Sequence, residues 1–173
     1  MATIQRIVPC LWFDSEAEEA ARYYVSIFEK DSRILRVSRY THEGQEIHGC
    51  EPGSVMSVQF HLAGCELTAL NGGPVFKLSE ATSLQVRCDT QAEVDRLWEN
   101  LAAGGDPKLQ QCGWLKDKFG VAWQIVPAIL SDMFADPDTT RTSRAMRAML
   151  QMNKLDIAKL QAAFDGKQAQ SPS

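Results

Sequence analysis

A short motif near the start of the chain recurs in chemical type later in the sequence. The first copy is Phe13-Asp14-Ser15-Glu16-Ala17-Glu18, and the second is Cys88-Asp89-Thr90-Gln91-Ala92-Glu93. In each copy an apolar run meets an Asp, and a Ser or Thr stands three residues before a Glu, which is typical of a helix start. The hydroxyl accepts a hydrogen bond from a backbone N–H of the first helical turn, and the Glu reaches back to the cap. The repeat therefore predicts that one strand–helix module occurs twice.

Each copy is followed by apolar residues at helical spacing, so each predicted helix has one face to bury. After the cap formed by Ser15 and Glu18, these residues are Ala17, Ala20, Ala21, Tyr24, Ile27 and Phe28. After the cap formed by Thr90 and Glu93, they are Val94, Leu97, Trp98 and Leu101, ahead of Gly104-Gly105.

Strand-like runs, rich in β-branched or aromatic residues, surround both helices. In the first half we expect strands at residues 7–13, 33–40, 54–62 and 65–70, and in the second half at 84–88, 108–111, 113–116 and 121–126. The order strand, helix, three strands thus occurs twice. It predicts an α+β fold of paired βαβββ modules, with the helices on one face of mixed sheets and a concave face, the cup, left open.

The C-terminal part has a different pattern. We expect a short helix at 129–134 and a Met-, Ala- and Leu-rich amphipathic pair at 144–152 and 155–164, whose apolar stripe packs on the protein's own sheet, covers a partner subunit, or does both. With 45% hydrophobic residues among 173, the chain can bury the core of one domain without metal or disulfide help. The expected organisation is a single domain over 1–166, with module one at about 3–74, module two at about 78–128, helices at about 129–165 and a disordered tail at 167–173.

Charge and cysteine content narrow the class of partner. The net charge is −4 and the 18 Lys and Arg residues are scattered, which argues against nucleic acid or an anionic membrane as the main partner. No apolar run approaches the roughly 20 residues that a membrane helix needs, and the first residues do not form a secretory signal. The odd, widely spaced set of cysteines predicts free thiols and a cytoplasmic location; it comprises Cys10, Cys50, Cys65, Cys88 and Cys112.

Period-two alternation predicts which strand residues face the cup. It places Pro9, Leu11, Phe13, Leu84, Val86 and Cys88 under the helices, and it turns Val8, Cys10, Trp12, Ser83, Gln85 and Arg87 toward the cup. Thr68 and Gln124 join the cup face by the same argument, and Trp114 shares one strand face with Lys116. A cavity with an aromatic ring, a thiol, a fixed cation and amides suits a small, partly aromatic or anionic organic ligand.

Several of these residues have two interpretations. Arg87, at a strand centre, needs an anion, which is either a ligand group or a protein carboxylate such as Glu66. Trp114 and Asp117 either close the cup and contact a ligand or a second subunit, or belong to a hairpin whose turn Asp117 sets. Asn71, ahead of Gly72-Gly73-Pro74, is either a turn former or a donor at the rim of the cup.

The chain resembles the PhnB-like proteins over nearly all of residues 4–165. The residues that carry the resemblance are Pro9-Cys10-Leu11-Trp12-Phe13, Glu18-Glu19-Ala20-Ala21, Tyr24-Val25-Ser26-Ile27-Phe28, Ala69-Leu70-Asn71-Gly72-Gly73-Pro74, Gln111-Cys112-Gly113-Trp114-Leu115-Lys116-Asp117-Lys118-Phe119-Gly120, Trp123-Gln124-Ile125-Val126-Pro127 and Ala148-Met149-Leu150-Gln151-Met152. This family is often labelled 3-demethylubiquinone-9 3-methyltransferase-like and lies in the vicinal-oxygen-chelate superfamily, with glyoxalase I, bleomycin-resistance proteins and extradiol dioxygenases. The resemblance implies two βαβββ modules around a cup, completed in a homodimer.

The resemblance also implies where metal ligands would stand. In the metal enzymes of the superfamily, His or Glu side chains point into the cup from the first and last strand of each module. The matching positions here are Val8, Thr68, Ser83 and Gln124, and a register slip of two residues substitutes Glu66 for Thr68. One carboxylate falls short of the three or four ligands that a catalytic divalent ion requires, and we interpret His42, His48 and His61 as solvated or satisfied. We therefore expect neither a metal nor another cofactor.

The methyltransferase label has no support in the first strand–helix turn. Enzymes that bind S-adenosylmethionine on a doubly wound sheet place a Gly-rich turn there, whereas residues 14–18 contain no glycine. The leading hypothesis is a small-molecule binding protein, with Trp12, Thr68, Ser83, Gln85, Arg87, Trp114 and Gln124 around the ligand. The first alternative is a lyase, isomerase or group-transfer enzyme that uses Cys10, Glu66 or Arg87. The second is an interaction protein whose C-terminal helices dock a partner.

Overall fold

The computed structural model describes residues 5–28 and 30–167. The chain divides into two compact units, residues 1–79 and 80–173. The expected single domain over 1–166 stays a prediction, and the tail expected at 167–173 lies, from residue 168 onward, outside the described residues.

The first unit contains the predicted βαβββ module with one added helical turn. Its elements are β1 (Cys10–Phe13), α1 (Ala17–Phe28), β2 (Arg33–Arg39), α2 (Gln45–His48), β3 (Val55–Leu62) and β4 (Cys65–Asn71). The sheet order is β1-β4-β3-β2, with β1 parallel to β4 and the other pairs antiparallel. The short helix α2 was not predicted, and left-handed glycines, Gly44 and Gly49, bound it at φ 78° and 69°.

The core of the first unit lies between its sheet and α1. Leu11 and Phe13 of β1 are buried, as the alternation predicts, together with the apolar face of α1. The prediction that Pro9 lies under the helix is wrong, since Pro9 is exposed and β1 begins one residue later. The carbonyl of Pro9 still accepts a hydrogen bond from Thr68 N at 2.9 Å, but its ring nitrogen has no hydrogen to donate.

The second unit has one strand fewer than predicted. Its strands and first helix are β5 (Leu84–Cys88), α3 (Gln91–Ala102), β6 (Trp114–Lys116) and β7 (Ala122–Pro127), with sheet order β5-β7-β6. The strand expected at 108–111 is instead a turn of 3-10 helix at Pro107–Leu109. Pro107 cannot donate to a strand ladder, and Asp106 caps the turn by accepting a hydrogen bond from Lys108 N at 2.9 Å.

The C-terminal helices are α4 (Ile129–Ala135), α5 (Thr139–Met149) and α6 (Ile157–Phe164). Helix α5 begins five residues before the predicted start at 144, because the Asp138 side chain accepts hydrogen bonds from Thr140 N and Arg141 N. The three helices form a core inside the second unit, consisting of Leu130, Met133, Ala145, Leu155, Leu160 and Phe164. The apolar stripe therefore packs within the protein's own fold, while Met146 and Leu150 remain exposed.

The two predicted helix caps have different outcomes. At α3 the Thr90 cap is confirmed, because Thr90 Oγ1 accepts from Glu93 N at 3.2 Å. Glu93 Oε2 accepts from Asp89 N at 3.0 Å, one residue before the cap rather than at the cap itself. At α1 the predicted pair of Ser15 and Glu18 is wrong. The Ala17 N–H donates to Asn71 Oδ1 at 2.8 Å, and Glu18 pairs with Arg22 instead.

Candidate functional site

A row of polar side chains crosses the open face of the second sheet. Gln85 Nε2 donates to Gln124 Oε1 at 3.2 Å, and Gln124 Nε2 donates to Ser83 Oγ at 2.8 Å. This arrangement follows from the parallel register, in which Gln85 lies opposite Gln124, while Trp123 and Ile125 point into the core. Three of the predicted site residues are thus brought together, and Trp114, opposite Gln124 across β6 and β7, adjoins them.

Trp114 also lines a cleft of about 470 Å³, which we name the Trp114 cleft. Its walls are Glu80, Lys108, Leu109, Gln111, Cys112, Trp114 and Leu150. Two leucines and an indole ring supply apolar surface, while a lysine and an amide supply polar groups. A mostly apolar cleft with a few placed polar groups is typical of small-molecule sites.

Backbone contacts with the C-terminal segment hold the cleft wall at Cys112. Cys112, at φ 52°, donates its N–H to Met152 O at 2.7 Å, and the Gly113 N–H donates to Asn153 O at 2.8 Å. A Cβ on Gly113 would lie 2.9 Å from Ile125 O and 3.0 Å from Leu155 Cδ1, so only glycine permits this close approach. Because of these contacts, the segment before α6 is fastened to the second sheet and Leu150 is fixed beside the cleft.

An ion pair lies at the edge of the Trp114 cleft. Lys116 Nζ is 2.9 Å from Glu80 Oε1. The hydrogen bond from Lys116 lowers the pKa of Glu80 below its usual range, so the Glu80 carboxylate is ionised at neutral pH. Sequence analysis placed Lys116 beside Trp114 but missed Glu80, because the segment between β4 and β5 has no periodic pattern that indicates which side chains turn inward.

Arg87 lies exposed near the end of β5, where it is paired in register with Val126. Within the described part of the second unit its guanidinium has no hydrogen-bond or ion-pair partner. Its predicted partner Glu66 belongs to the first unit, so that pairing stays a prediction.

The open face of the first sheet carries the other predicted site residues. Cys10 lies opposite Thr68 in the parallel register of β1 and β4, and Glu66 is two residues from Thr68 on the same face. The backbone of Glu66 is held by Gln5, whose side chain accepts from Glu66 N at 2.9 Å and donates to Glu66 O at 3.0 Å. Val8 lies before β1 and is half-buried.

Two thiols differ in position but share a raised pKa. Desolvation raises the pKa of the Cys10 thiol, although its side chain is exposed at the surface of the sheet. Burial, followed by the charge of Glu93, raises the pKa of the Cys88 thiol to about 12, in agreement with a core position. Since the thiolate is the nucleophile, neither shift favours catalysis by these groups.

Trp12 is enclosed by the segment after β4. Its Nε1 donates to Gly73 O at 2.9 Å, and its ring meets Phe76 edge-on with centroids 4.9 Å apart. A Cβ on Gly72 would lie 2.1 Å from Cζ2 of Trp12, so the glycine is required for the ring to lie against the backbone. Trp12 thus has a structural role in holding residues 72–76.

Asn71 and Asp117 also have structural roles. Besides accepting from Ala17 N, buried Asn71 donates through Nδ2 to Val55 O at 3.0 Å. Buried Asp117 accepts from Phe119 N, from Val121 N and from Trp123 Nε1, at 2.9, 3.0 and 2.8 Å. These bonds favour the turn interpretation of Asp117 and show that Asn71 ties α1 to the sheet.

The first unit has a cleft of its own, of about 390 Å³, which sequence analysis missed. We name it the Tyr40 cleft, and its walls are Asp14, Ser15, Glu18, Tyr40, Cys50, Glu51, Ser54, Val55 and Asn71. Tyr40 donates its hydroxyl to Asn71 O at 2.6 Å, and burial and a hydrogen bond with Cys50 raise the pKa of its phenol. The ring of His48 lies 4.5 Å from that of Tyr40, and His48 Nδ1 accepts from Cys50 N at 3.0 Å.

The residues at the implied metal positions do not fit a divalent ion. Ser83 and Gln124 hydrogen-bond to each other, and Thr68 and Val8 offer no strong ligand atom. In the described ranges, 5–28 and 30–167, no three His, Cys, Asp or Glu residues come close enough together to hold a metal ion.

Comparisons with known proteins place the chain in a family. The model of the family described as "3-demethylubiquinone-9 3-methyltransferase" matches residues 5–126. A solved structure described as a putative 3-demethylubiquinone-9 3-methyltransferase, PhnB protein, from Bacillus cereus is 34% identical; the match covers 72% of this chain and 100% of that chain, with a TM-score of 0.62. The crystal structure of a protein from Pseudomonas aeruginosa is 22% identical in sequence. That match covers 72% of this chain and 98% of the other chain, with a TM-score of 0.54. A search of the curated proteins gave no significant match.

The fold class is that of the glyoxalase and bleomycin-resistance proteins. The fosfomycin resistance protein FosX from Mesorhizobium loti has a TM-score of 0.52 at 16% identity, with 78% of this chain and 100% of that chain covered, and so shares the fold alone. The chain belongs to the 3-demethylubiquinone-9 3-methyltransferase or PhnB-like family. Among the described residues, no helix is both long and apolar enough to cross a membrane.

Proposed function

We propose that the protein binds a small organic molecule with an aromatic or anionic group on the open face of the second sheet. The observation that carries this proposal is the Trp114 cleft of about 470 Å³, which combines an indole ring, two leucines, a lysine and an amide. An aromatic ligand would lie against the Trp114 ring, where offset or edge contacts are favourable. The row of Ser83, Gln85 and Gln124 adjoins Trp114 and supplies donors and acceptors for polar ligand groups.

Arg87 and the first sheet extend this proposal. The exposed guanidinium of Arg87 lies on the same strand as Gln85 and offers a planar pair of donors to a carboxylate. Trp12 and Thr68 on the first sheet remain proposed ligand contacts, although the indole N–H of Trp12 already donates to Gly73 O. We propose no methyl transfer. The backbone N–H of Ala17, at the start of α1, already donates to the Asn71 side chain, and residues 14–18 contain no glycine that would let a cofactor approach the backbone.

A thermal-shift screen of aromatic acids and quinones tests the proposal. We expect some of these compounds to raise the unfolding temperature, because a ligand that binds only the folded state stabilises it. Trp114→Ala should remove the shift. Leu35→Ala, which truncates an exposed apolar residue of β2 in the first unit, is the control and should retain the shift. No shift with any compound, or an equal shift in Trp114→Ala, contradicts the proposal.

We further propose that the protein is a homodimer, as the family resemblance implies, and that it lies in the cytoplasm. The exposed apolar side chains of Val75 and Phe76, next to Trp12, supply surface of the kind that subunits bury. Light scattering after size-exclusion chromatography should give twice the chain mass of 19.3 kDa. A mass of one chain at micromolar concentration contradicts the dimer.

A further inference from the structure

The ion pair of Lys116 and Glu80 occupies the place where an anionic ligand group would meet the Trp114 cleft. Lys116 and Trp114 alternate along β6 and so share a face, and Glu80 itself lines the cleft. The carboxylate of Glu80 lies 2.9 Å from Lys116 Nζ. A cation beside an aromatic wall is a common way to recognise an aromatic carboxylate, but here a carboxylate of the protein already contacts the cation.

Glu80 is held loosely enough for another anion to replace it. Its side chain is 51% exposed, whereas that of Lys116 is 24% exposed. Glu80 lies in the segment between β4 and β5, and this segment contains neither a helix nor a strand. In the described part of the second unit, Lys116 is the side chain that contacts the Glu80 carboxylate. Exposed ion pairs of this kind contribute little to stability, so little is lost when Glu80 moves away.

We propose that Glu80 is an internal substitute for the ligand's carboxylate, and that an aromatic carboxylate displaces it from Lys116 when it binds against Trp114. This inference rests on the proposed function and specifies its ligand class. Once Glu80 has moved away, Lys116 and Lys108 leave the cleft with an excess of positive charge, which favours an anion over a neutral analogue. Glu80 thereby selects for ligands that carry a negative charge, because a neutral aromatic molecule cannot replace its carboxylate in the ion pair with Lys116.

The test uses the full chain and two probes of nearly equal shape, naphthoate and the uncharged naphthamide. Dissociation constants are measured by titration calorimetry for the wild type, Glu80→Gln, Lys116→Met and Trp114→Ala. The matched control is Asp95→Asn, which breaks the ion pair of Asp95 and Lys154, 2.6 Å apart, on the same unit but outside the cleft.

We expect Glu80→Gln to bind naphthoate about three- to fivefold more tightly, because the competing carboxylate is gone. The same variant should leave naphthamide binding unchanged. Lys116→Met should reduce naphthoate affinity to that of naphthamide, and Asp95→Asn should behave as the wild type.

The outcomes separate this inference from the proposed function. If Trp114→Ala weakens both probes but Glu80→Gln leaves naphthoate binding unchanged or weaker, the substitute role of Glu80 is wrong and the binding site stands. If neither probe binds the wild type, or if Trp114→Ala binds both probes as the wild type does, the proposed function itself is contradicted. If Glu80→Gln tightens both probes equally, Glu80 merely obstructs the cleft and the inference is again wrong.

Discussion

At the scale of single residues, the close contact between Trp12 and Gly72 shows how one side chain constrains another far along the chain. The Trp12 ring lies where a Cβ of residue 72 would be, and its indole N–H holds Gly73 O at 2.9 Å. The glycines after β4 are therefore explained by the tryptophan of β1 as well as by the turn. Phe76, edge-on to the same ring, completes the contact.

Gly72→Ala should destabilise the protein by about 1–3 kcal/mol, the usual cost of overpacking a close contact. Its Cβ would lie 2.1 Å from Cζ2 of Trp12, so the ring or the backbone must shift. Urea unfolding of Gly72→Ala, Trp12→Ala and the double variant measures the coupling between the two sites. In the Trp12→Ala background the glycine substitution should cost much less; an equal cost in both backgrounds would contradict this account.

At the scale of secondary structure elements, the two strand–helix turns look alike in sequence but are stabilised differently. Thr90 caps α3 as its motif predicts, whereas the start of α1 receives its acceptor from Asn71 at the end of β4. The difference lies in tertiary structure, since the parallel pairing of Phe13 with Asn71 brings that amide to the helix start.

Three substitutions should separate the two kinds of cap. Thr90→Ala should cost about 1 kcal/mol, a typical loss for an N-cap. Asn71→Ala should cost about 1–3 kcal/mol, because it leaves the Val55 carbonyl and the Ala17 N–H without their partner in a buried place. Ser15→Ala should cost less than either. Free energies of unfolding in urea provide the comparison, and a loss for Ser15→Ala as large as that for Asn71→Ala would restore the predicted cap.

The ion pair between Asp95 of α3 and Lys154 before α6 should make stability depend on pH. Hydrogen bonds from Lys154 and then Gln91 lower the pKa of Asp95 in the folded state. Its contribution is therefore complete above the unfolded value of about 3.9, and it is lost as the pH falls through the folded pKa. Compared with the wild type, Lys154→Met should be less stable at pH 6, by a small amount because the pair is partly exposed.

The measurement for this ion pair is urea unfolding of both proteins at a series of pH values. The difference between wild type and Lys154→Met should shrink as the pH falls below about 4. The control is Lys77→Met, since Lys77 is exposed and has no ion pair among the described residues of the first unit. A difference that persists at acid pH would contradict the role of Asp95 ionisation.

The elements of the fold could be predicted from the sequence more completely than the site. Periodicity and the repeated motif were sufficient for α1, α3 and seven of the eight expected strands, because these signals are local. The strand predicted at 108–111 is wrong, because Pro107 starts a 3-10 turn there. Glu80 could not be predicted as a site residue, because the residues around it have no periodic pattern. The polar row of Ser83, Gln85 and Gln124 followed from alternation, but the cleft walls contributed by Leu109 and Leu150 depend on how distant segments pack.

At the scale of the whole molecule, the positions that hold metal ligands in the metal enzymes are occupied in this PhnB-like protein by Val8, Thr68, Ser83 and Gln124. Native mass spectrometry of protein purified without chelator should show no stoichiometric metal, because Val8, Thr68, Ser83 and Gln124 supply no His or carboxylate. Treatment with a chelator should leave the unfolding temperature unchanged. A stoichiometric metal that stabilises the fold would contradict the conclusion that these residues do not suit a metal ion.

The indole N–H signals in a proton–nitrogen NMR spectrum test most directly whether a small aromatic acid binds against Trp114. The chain has four tryptophans, whose indole signals serve as separate reporters. Buried Trp123 donates its indole N–H to Asp117 Oδ2, so its signal serves as the internal control. Titration with naphthoate should shift the Trp114 signal and the amides of Gln111 and Cys112, while the Trp123 signal stays in place. If the Trp114 signal does not move, or if the shifts concentrate in the first unit, the proposed site is wrong.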